Sequence, residues 1–351
     1  MTGELNPEMF RLARDSRGLT QGELAESAGV AQGTISKLEL GLKDVAADAL
    51  DRIANALQYP TSFFFQDEHY RGFGISVIFY RKRASTLQKH VRRLQAQINI
   101  LRIHAKIFLR DVTLETPGDI QQFDITEFPG TPADIAAMVR ASWKLPAGPI
   151  RNLTGMIENA GGLVFRFPFG TNDIDAISQW PDDMSPLFFV NTQAPADRAR
   201  FSLAHELGHM VMHQTVSETM ESEANQFAAA LLMPEGDVRH QLHGMTIEGA
   251  FKLKPYWRVS AASIIKRSRD LDCIKPNRYE DIYRRFTQLG YRQSEPFEIA
   301  AEEPLLIKKL VESHFEQGSF TVDELARMTH LHTDEFRMRH MGHNGSLRIA
   351  L

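Results

Sequence analysis

Residues 201–213 constrain the fold and chemistry of this chain more than any other segment, because they contain the pattern His205-Glu206-x-x-His209. On a helix, side chains four positions apart lie one above the other, so both histidines can offer an imidazole nitrogen to one ion. Glu206 points about 100° away, beside such an ion rather than on it, where a general base for a bound water belongs. Apolar neighbours and the absence of proline within the segment predict that it is helical.

A metal held by two histidines needs a third protein ligand, and residues 218–234 offer two candidates. Apolar residues at helical spacing predict a second helix there. Glu221 is the preferred ligand because it shares a face with Asn225, whose amide can orient a ligand. Glu223 lies about 200° around the helix from Glu221, so only one of the two can face the site, and Glu223 remains the alternative.

His213 follows in the same run, but a continuous helix carries it about 12 Å from His205, too far for one ion. We interpret it as a helix-end histidine near the negative pole of the helix dipole. The preferred site therefore holds one zinc ion on His205, His209 and Glu221, with Glu206 as the catalytic base. The alternative is that these are buried, hydrogen-bonded histidines, but a glutamate at the required position and a following ligand helix argue against it.

The composition is that of an ordinary globular protein: 351 residues, 43% hydrophobic and 24% charged, with room for two or three domains. A single cysteine, Cys273, excludes an internal disulfide and a thiolate-only metal site, and it suits a reducing cytosol. The N-terminus lacks a signal-peptide pattern, and no apolar run approaches about 18 residues. We expect a cytoplasmic protein with no membrane partner.

Short amphipathic helices are predicted throughout residues 6–60. Thr20 and Glu23 form a capping box that opens one of them, and Gly29 supplies a tight turn before the next, at residues 32–40. A helix, a short glycine turn and a second helix with exposed polar residues make the helix-turn-helix arrangement. The alternative is a small helical scaffold with no role in DNA binding.

Several polar side chains of this helix pair suit contacts with an operator in double-stranded DNA. Glutamine can bond adenine in bidentate fashion, threonine and serine reach bases or phosphates, and lysine pairs with phosphate. The acidic balance of residues 1–65, with 6 Lys/Arg against 9 Asp/Glu, weakens nonspecific attraction to phosphate. The candidate DNA contacts are Thr20, Gln21, Gln32, Thr34, Ser36 and Lys37.

Residues 71–110 are strongly basic, with 10 Lys/Arg and no acidic residue. Apolar residues recur there at alternating spacings of four and three and predict a long helix with a heptad seam. One interpretation is a linker helix packed on its own chain with a solvated charged face. The other is a dimerising helix whose outer face, including Arg92 and Arg93, meets phosphates. The seam consists of Leu87, Val91, Leu94, Ile98, Leu101, Ala105 and Phe108.

The metal helix lies in a region of mixed secondary structure. Helices are predicted at 132–143 and 150–159, and short strands at 163–167, 174–178 and 187–190. Together with the two metal-binding helices they predict an α+β core.

Two stretches resemble known families. Residues 6–65, with Leu19-Thr-Gln-x-Glu-Leu-Ala and Thr34-Ile-Ser-Lys-Leu-Glu39, resemble the XRE/Cro-type repressor domain. Residues 130–275, with Ala204-His-Glu-Leu-Gly-His209 and Glu221-x-Glu-Ala-Asn225-x-Phe-Ala, look like the zincin-like ImmA/IrrE metallopeptidases. The second resemblance implies that zinc, held by His205, His209 and Glu221, activates a water whose proton Glu206 takes. It also implies that the substrate is a DNA-binding repressor.

We therefore expect a multidomain chain: an all-α helix-turn-helix domain (1–66), an aromatic stretch and basic connecting helix (67–111), an α+β metallopeptidase domain (112–275) and a helical accessory region (276–351). Residues 321–336 faintly resemble a second helix-turn-helix, although an accessory subdomain is preferred. His330, His332, His340 and His343 are expected to be scattered surface histidines.

Two functions follow. The first is a homodimeric DNA-binding regulator with an active zinc endopeptidase that cuts a repressor, an antitoxin-like partner or itself. The second is a non-proteolytic transcription factor whose zinc domain senses a ligand or holds a dimer together.

Overall fold

The computed structural model describes residues 4–72, 88–110, 112–114, 116–316, 318 and 320–341. The chain divides into two compact units. Unit 1 contains the described residues up to 113 and those from 306 onward, and unit 2 contains the described residues between 114 and 305. Within these ranges no helix is both long and apolar enough to cross a membrane. The expected multidomain architecture is confirmed, since the regular structure described in unit 1 is helical and unit 2 combines helices with a small mixed sheet.

Four helices and a 3-10 turn build the N-terminal part of unit 1. The predicted capping box is present: the Thr20 hydroxyl accepts from the Glu23 amide, and the Glu23 carboxylate accepts from the Thr20 amide at 2.6 Å. Gly29 ends the second helix with φ of 62°, a left-handed conformation that glycine adopts readily. The elements are α1 (Pro7–Ser16), α2 (Gln21–Ala28), α3 (Gln32–Glu39), α4 (Ala47–Leu57) and the turn Thr61–Phe65.

The basic helix follows as α5 (Gln88–Leu109), which packs against α1. Val91 is half-buried, whereas Leu87, the part of the aromatic stretch from Phe73 to Tyr80 and the basic residues 81–83 lie outside the described residues. The rest of the seam is buried within unit 1, so it is covered by the chain itself rather than left open to a second copy. These buried seam residues are Leu94, Ile98, Leu101, Ala105 and Phe108.

Unit 2 contains a three-stranded sheet of order β1-β3-β2, in which β3 pairs parallel with β1 and antiparallel with β2. Its central strand is buried along its whole length, and β2 and β3 both contact helix α8. The elements are α6 (Pro132–Ser142), α7 (Leu153–Asn159), β1 (Leu163–Phe167), β2 (Ala176–Gln179), β3 (Leu187–Asn191), α8 (Ala196–Met212), α9 (Met220–Leu232), α10 (Glu235–Leu242), α11 (Ile247–Trp257), α12 (Ala261–Asp270) and α13 (Pro276–Gln288).

Two elements of unit 2 begin later than predicted, and an asparagine explains each difference. The helix expected from residue 150 starts at Leu153 because the Asn152 side chain caps it, accepting from the Gly155 amide at 2.9 Å. The strand expected from residue 174 starts at Ala176. The Asn191 amide donates to the Ile174 carbonyl at 2.8 Å, and this bond ties residue 174 into the preceding loop.

The chain returns to unit 1 after unit 2, and three short helices complete it: α14 (Leu306–Glu316), α15 (Val322–Met328) and α16 (Thr333–Phe336), followed by a π-helical turn at Arg337–Met341. Helix α14 packs on α5, and Arg17 donates to both carboxylate oxygens of Glu335 at 2.9 and 2.7 Å. Helix α16 has only four residues, and its Glu335 is held by Arg17 within unit 1; that this segment is an accessory element remains a prediction.

One expectation about the C-terminal histidines is wrong. His340 is buried, and its Nε2 lies 2.9 Å from Nδ1 of the buried His104. His330 is half-buried beside Ser62, His332 is exposed, and His343 lies outside the described residues. The two buried rings are held among Phe108 and Phe336 by aromatic contacts. His104 and His340 therefore belong to the core of unit 1.

Unit 1 is expected to lose stability as the pH falls below about 6.5, the ordinary histidine value. Burial, followed by the charge of Arg339, lowers the pKa of His340 to about 3, and burial, with His340 next, lowers the pKa of His104. Such a histidine stays neutral in the folded state but takes up a proton in the unfolded state. Its contribution to stability is therefore fully present above about pH 6.5 and decreases as the pH falls towards the pKa of the folded state. A proton that is taken up only on unfolding changes the free energy of unfolding by about 1.4 kcal/mol per pH unit.

Amide hydrogen exchange in α5 at pH 7.5 and 5.5 measures this effect as a change in the free energy of opening. The variant His340→Gln should reduce the pH dependence, and the matched variant His332→Gln, at an exposed position, should leave it unchanged. Equal dependence in the wild type and His340→Gln would show that the buried pair does not titrate on unfolding.

Candidate metal centre and nucleic-acid interface

Helices α8 and α9 bring three of the predicted metal ligands together. The Nε2 atoms of His205 and His209 lie 2.9 Å apart, as their spacing of four on α8 predicts. From α9, the Glu221 carboxylate reaches His205 at 3.5 Å and His209 at 3.3 Å. The donor atoms of all three residues lie within 4.8 Å of one another. Among the described residues this is the one group of three or more His, Cys, Asp or Glu side chains so arranged.

This donor set fits a zinc ion. Zinc–nitrogen and zinc–oxygen bonds of about 2.0–2.2 Å at tetrahedral angles separate neighbouring ligand atoms by about 3.3 Å. The three separations of 2.9, 3.3 and 3.5 Å bracket that value. Two imidazoles and one carboxylate also match the donor chemistry of zinc sites that keep a fourth position open for water or substrate.

A glycine allows the two ligand helices to approach this closely. A Cβ atom at position 208 would lie 3.0 Å from Cδ1 of Phe227 and 3.4 Å from Cα of Ala224, both on α9. Gly208 stands between the two histidines, so the helix contact lies directly beside the candidate site. The site geometry therefore depends on a residue without a side chain.

The alternative ligand Glu223 has a different partner. His213 is buried at the end of α8. Its Nδ1 lies 3.0 Å from Nδ1 of His209, and its Nε2 lies 2.9 Å from a carboxylate oxygen of Glu223. The two ring contacts form a chain from Glu223 through His213 to the ring nitrogen of His209 that faces away from Glu221. Such a chain sets the orientation of a ligand imidazole without binding the metal. Sequence spacing made His213 a neighbour of His209 but did not reveal its bond to Glu223.

Glu206 is buried beside the triad and is held by a residue that the sequence did not single out. The Ser178 hydroxyl, on the edge strand β2, donates to Glu206 Oε2 at 2.6 Å. This contact leaves Glu206 outside the group of metal donors, as expected for a base. No sequence signal linked the two residues, because they come together only through the packing of β2 on α8.

The electrostatics of the triad favour a charged glutamate next to histidine. Burial alone would lower the pKa of His205, but the hydrogen bond to Glu221 and the charges of Glu206 and Glu221 outweigh it and raise that pKa. Hydrogen bonds from His205 and His209 lower the pKa of Glu221 far below its ordinary value. Asn225 donates to the Glu221 carbonyl at 2.7 Å, and its side chain also helps to raise the pKa of His205.

The predicted DNA contacts lie on or next to α2 and α3. Gln32 and Lys37 are exposed, and Thr34 and Ser36 are half-buried. Gln32 donates to Gln21 at 3.0 Å, and Gln21 donates to Glu39 at 2.9 Å, so side chains link the two helices. Thr20 is exposed, and its hydroxyl is used in the capping box.

A buried ion pair that sequence reasoning missed anchors this network. Arg14 on α1 donates to both carboxylate oxygens of Glu39, at 2.5 and 2.9 Å, and both side chains are largely buried. Bidentate pairing fixes the orientation of both side chains, and Glu39 also accepts from Gln21. The polar face of the helix pair is therefore held in place from α1.

These observations define two classes of domain in one chain: a helix-turn-helix domain and an α+β domain with a helix that carries the His-Glu-x-x-His pattern. Family models agree. Residues 10–64 match the helix-turn-helix model, and residues 157–269 match the model described as the IrrE N-terminal-like domain of the M78 peptidases. The chain thus contains one region similar to XRE-type helix-turn-helix domains and another similar to the IrrE-like domain of the M78 peptidases.

Curated relatives match a short part of the chain. An uncharacterized HTH-type transcriptional regulator of Sinorhizobium medicae is 41% identical over 58 residues, which is 16% of this chain and 42% of that protein. The transcriptional regulator ClgR of Mycobacterium tuberculosis is 38% identical over 64 residues, 18% of this chain and 57% of that protein. The chain therefore spans about half the length of these relatives, at 42% and 57%.

Proposed function

We propose that this chain is a DNA-binding transcriptional regulator whose second unit is a zinc-dependent endopeptidase. The observation that carries the proposal is the triad of His205, His209 and Glu221, with Glu206 held beside it, in a chain that also contains a helix-turn-helix domain. Cleavage of a repressor, an antitoxin-like partner or the chain itself would then change gene expression. Such a regulator acts in the cytoplasm, where its operator is.

The protein's own part in the reaction is to hold ligands and to move a proton. A zinc ion on the triad would supply Lewis-acid activation of water and of the scissile carbonyl. Glu206 accepts the proton and returns it to the leaving amine, while Ser178 keeps its carboxylate in one orientation. His213 and Glu223 hold the His209 ring in the orientation that faces the triad.

Within the helix-turn-helix domain, α3 is the helix that enters the major groove. Gln32 and Lys37 are its exposed polar residues, and Gln32 is oriented by Gln21. Helix-turn-helix regulators commonly bind two half-sites as dimers, and we propose a homodimer here. Because the α5 seam is covered within unit 1, the dimer would use another surface.

Incubation with candidate substrates tests the peptidase. The zinc-loaded full chain is mixed with proteins encoded by neighbouring genes, and products are identified by mass spectrometry over time. Cleavage of one partner or of the chain itself at a few defined bonds is expected. If no protein is cut, including the chain itself, the non-proteolytic transcription factor becomes the correct description.

The salt dependence of DNA binding tests the role of α5. Arg92 and Arg93 are exposed near the start of this helix, and Arg93 lies beside Gly18 in the turn between α1 and α2. If both side chains meet phosphates, the double variant Arg92→Ala/Arg93→Ala should reduce the magnitude of the negative slope of log K against log salt by about 2. Fluorescence anisotropy on an operator selected from random duplexes measures this slope.

The matched control is Lys308→Ala/Lys309→Ala, which removes the same charge from exposed positions on α14. Its slope should equal that of the wild type. Equal slopes for both double variants would mean that the basic face of α5 is only solvated.

A further inference from the structure

Beside the candidate metal centre, unit 2 contains a second feature that the chemistry above does not use. A cleft of about 690 Å³ opens among α8, α9, α12 and α13. Its wall includes Asn225, which donates to the Glu221 carbonyl, and Phe201, one turn before His205 on α8. The cleft therefore adjoins the triad.

The cleft is cationic. Three of the lining side chains are Lys266, Arg267 and Arg269, and Asp270 is the one acidic residue among the lining residues that the structure describes. Arg269 is already paired with Asp270, at 2.6 Å, and lies over the Tyr279 ring at 4.6 Å. Over the described residues, no carboxylate lies within ion-pair distance of Lys266 or Arg267. Two positive charges are thus left for a ligand.

Arg267 is the more informative of the two. Its side chain is buried, with 7% of the residue exposed, and its described hydrogen bond runs from Nε to the Met233 carbonyl at 3.2 Å. A buried guanidinium normally uses its terminal nitrogens in a bidentate contact with a carboxylate or phosphate. Here the terminal nitrogens make no described hydrogen bond, and the residue lines the cleft. Asp270 and Glu235 act on Arg267 only from beyond ion-pair distance. A buried cation without a direct ion-pair partner favours binding of an anion.

We propose that this cleft binds a carboxylate of the peptide substrate against Arg267 and Lys266, and so selects acidic segments for cleavage. The proposal rests on the proposed peptidase function and names the substrate class of that site. The carboxylate can come from an aspartate or glutamate side chain or from a chain terminus. Because Arg267 is buried within a cleft, an extended peptide can reach it, whereas a DNA duplex is too wide.

A library of fluorescent decapeptides tests the proposal. Matched members carry Asp or Glu against Asn or Gln at one position, and each is made with a free and an amidated C-terminus. Binding to the zinc-loaded full chain is followed by fluorescence polarisation, and cleavage by mass spectrometry. Acidic members should bind about 10-fold more tightly than their neutral partners. A preference confined to free C-termini would identify the terminus as the carboxylate that is bound.

The variant Lys266→Glu should abolish this preference, because it reverses an exposed charge at the cleft without touching the core. The matched control Lys252→Glu makes the same change at an exposed position on α11, outside the cleft, and should keep the preference. Arg267→Met should also lose the preference for acidic peptides, and Arg267→Lys should retain part of that preference. Since either change can disturb folding, Lys266→Glu carries the test.

The outcomes separate this proposal from the peptidase itself. Acidic preference without cleavage supports the cleft and overturns the peptidase function. Cleavage without charge preference leaves the peptidase and overturns the cleft proposal. The cleft proposal is also overturned if no peptide binds, if Lys266→Glu keeps the preference, or if duplex DNA displaces the acidic peptides and Lys266→Glu weakens DNA binding.

Discussion

Replacing Glu206 with glutamine is expected to slow peptide cleavage by about 10²–10⁴-fold while leaving the metal bound. The change removes the proton acceptor but keeps a side-chain oxygen that can accept from the Ser178 hydroxyl. Glu206 lies outside the donor triad, so the ligand set is intact. Cleavage rates of the substrate found by incubation, together with zinc content by atomic absorption, measure the two effects separately.

The control for this experiment is Glu218→Gln, the same chemical change at an exposed position between the two ligand helices. Its cleavage rate should match that of the wild type. Undiminished activity in Glu206→Gln with normal zinc content would assign the base to another residue. Loss of zinc from Glu206→Gln would instead mean that Glu206 is a ligand.

The second large effect concerns the third ligand. Glu221→Gln should weaken zinc binding by far more than Glu223→Gln, although the two substitutions are chemically identical and lie on the same helix. Glu221 contacts both ligand histidines, whereas Glu223 acts through His213 on the orientation of His209. Removing an outer partner of this kind costs roughly 10–100-fold in metal affinity, and removing a ligand costs more.

Zinc titration against a competing chelator measures both affinities under identical conditions. Circular dichroism of the two zinc-free variants checks that both remain folded. A greater loss in Glu223→Gln than in Glu221→Gln would exchange the roles of the two glutamates. Equal and small losses would argue that neither glutamate is a ligand.

The local parts of the site could be predicted from the sequence because helix geometry fixes them. A spacing of four places His205 and His209 on one face of any helix, and the angle between Glu221 and Glu223 already implied that they face different partners. The capping box at Thr20 is equally local and is confirmed. In each case the interacting residues are separated by no more than four positions.

The remaining contacts could not be predicted because they join residues that are far apart in the sequence. Ser178 and Glu206 are separated by 28 positions, and His104 and His340 by 236. Periodicity in α5 identified an apolar face, but it carried no information about which element covers that face. Here the covering elements are α1 and α14, the second of which follows the whole of unit 2.

The discontinuity of unit 1 has a consequence for biosynthesis. Helices α1 and α5 leave the ribosome before Glu335, which pairs with Arg17 and follows it by 318 positions. The C-terminal helices can therefore dock on the helix-turn-helix domain only after unit 2 has been synthesised. Their docking closes a long loop and carries the entropy cost of doing so. A polypeptide truncated within unit 2 would contain the helix-turn-helix without α14 to α16, the segment that completes its compact unit.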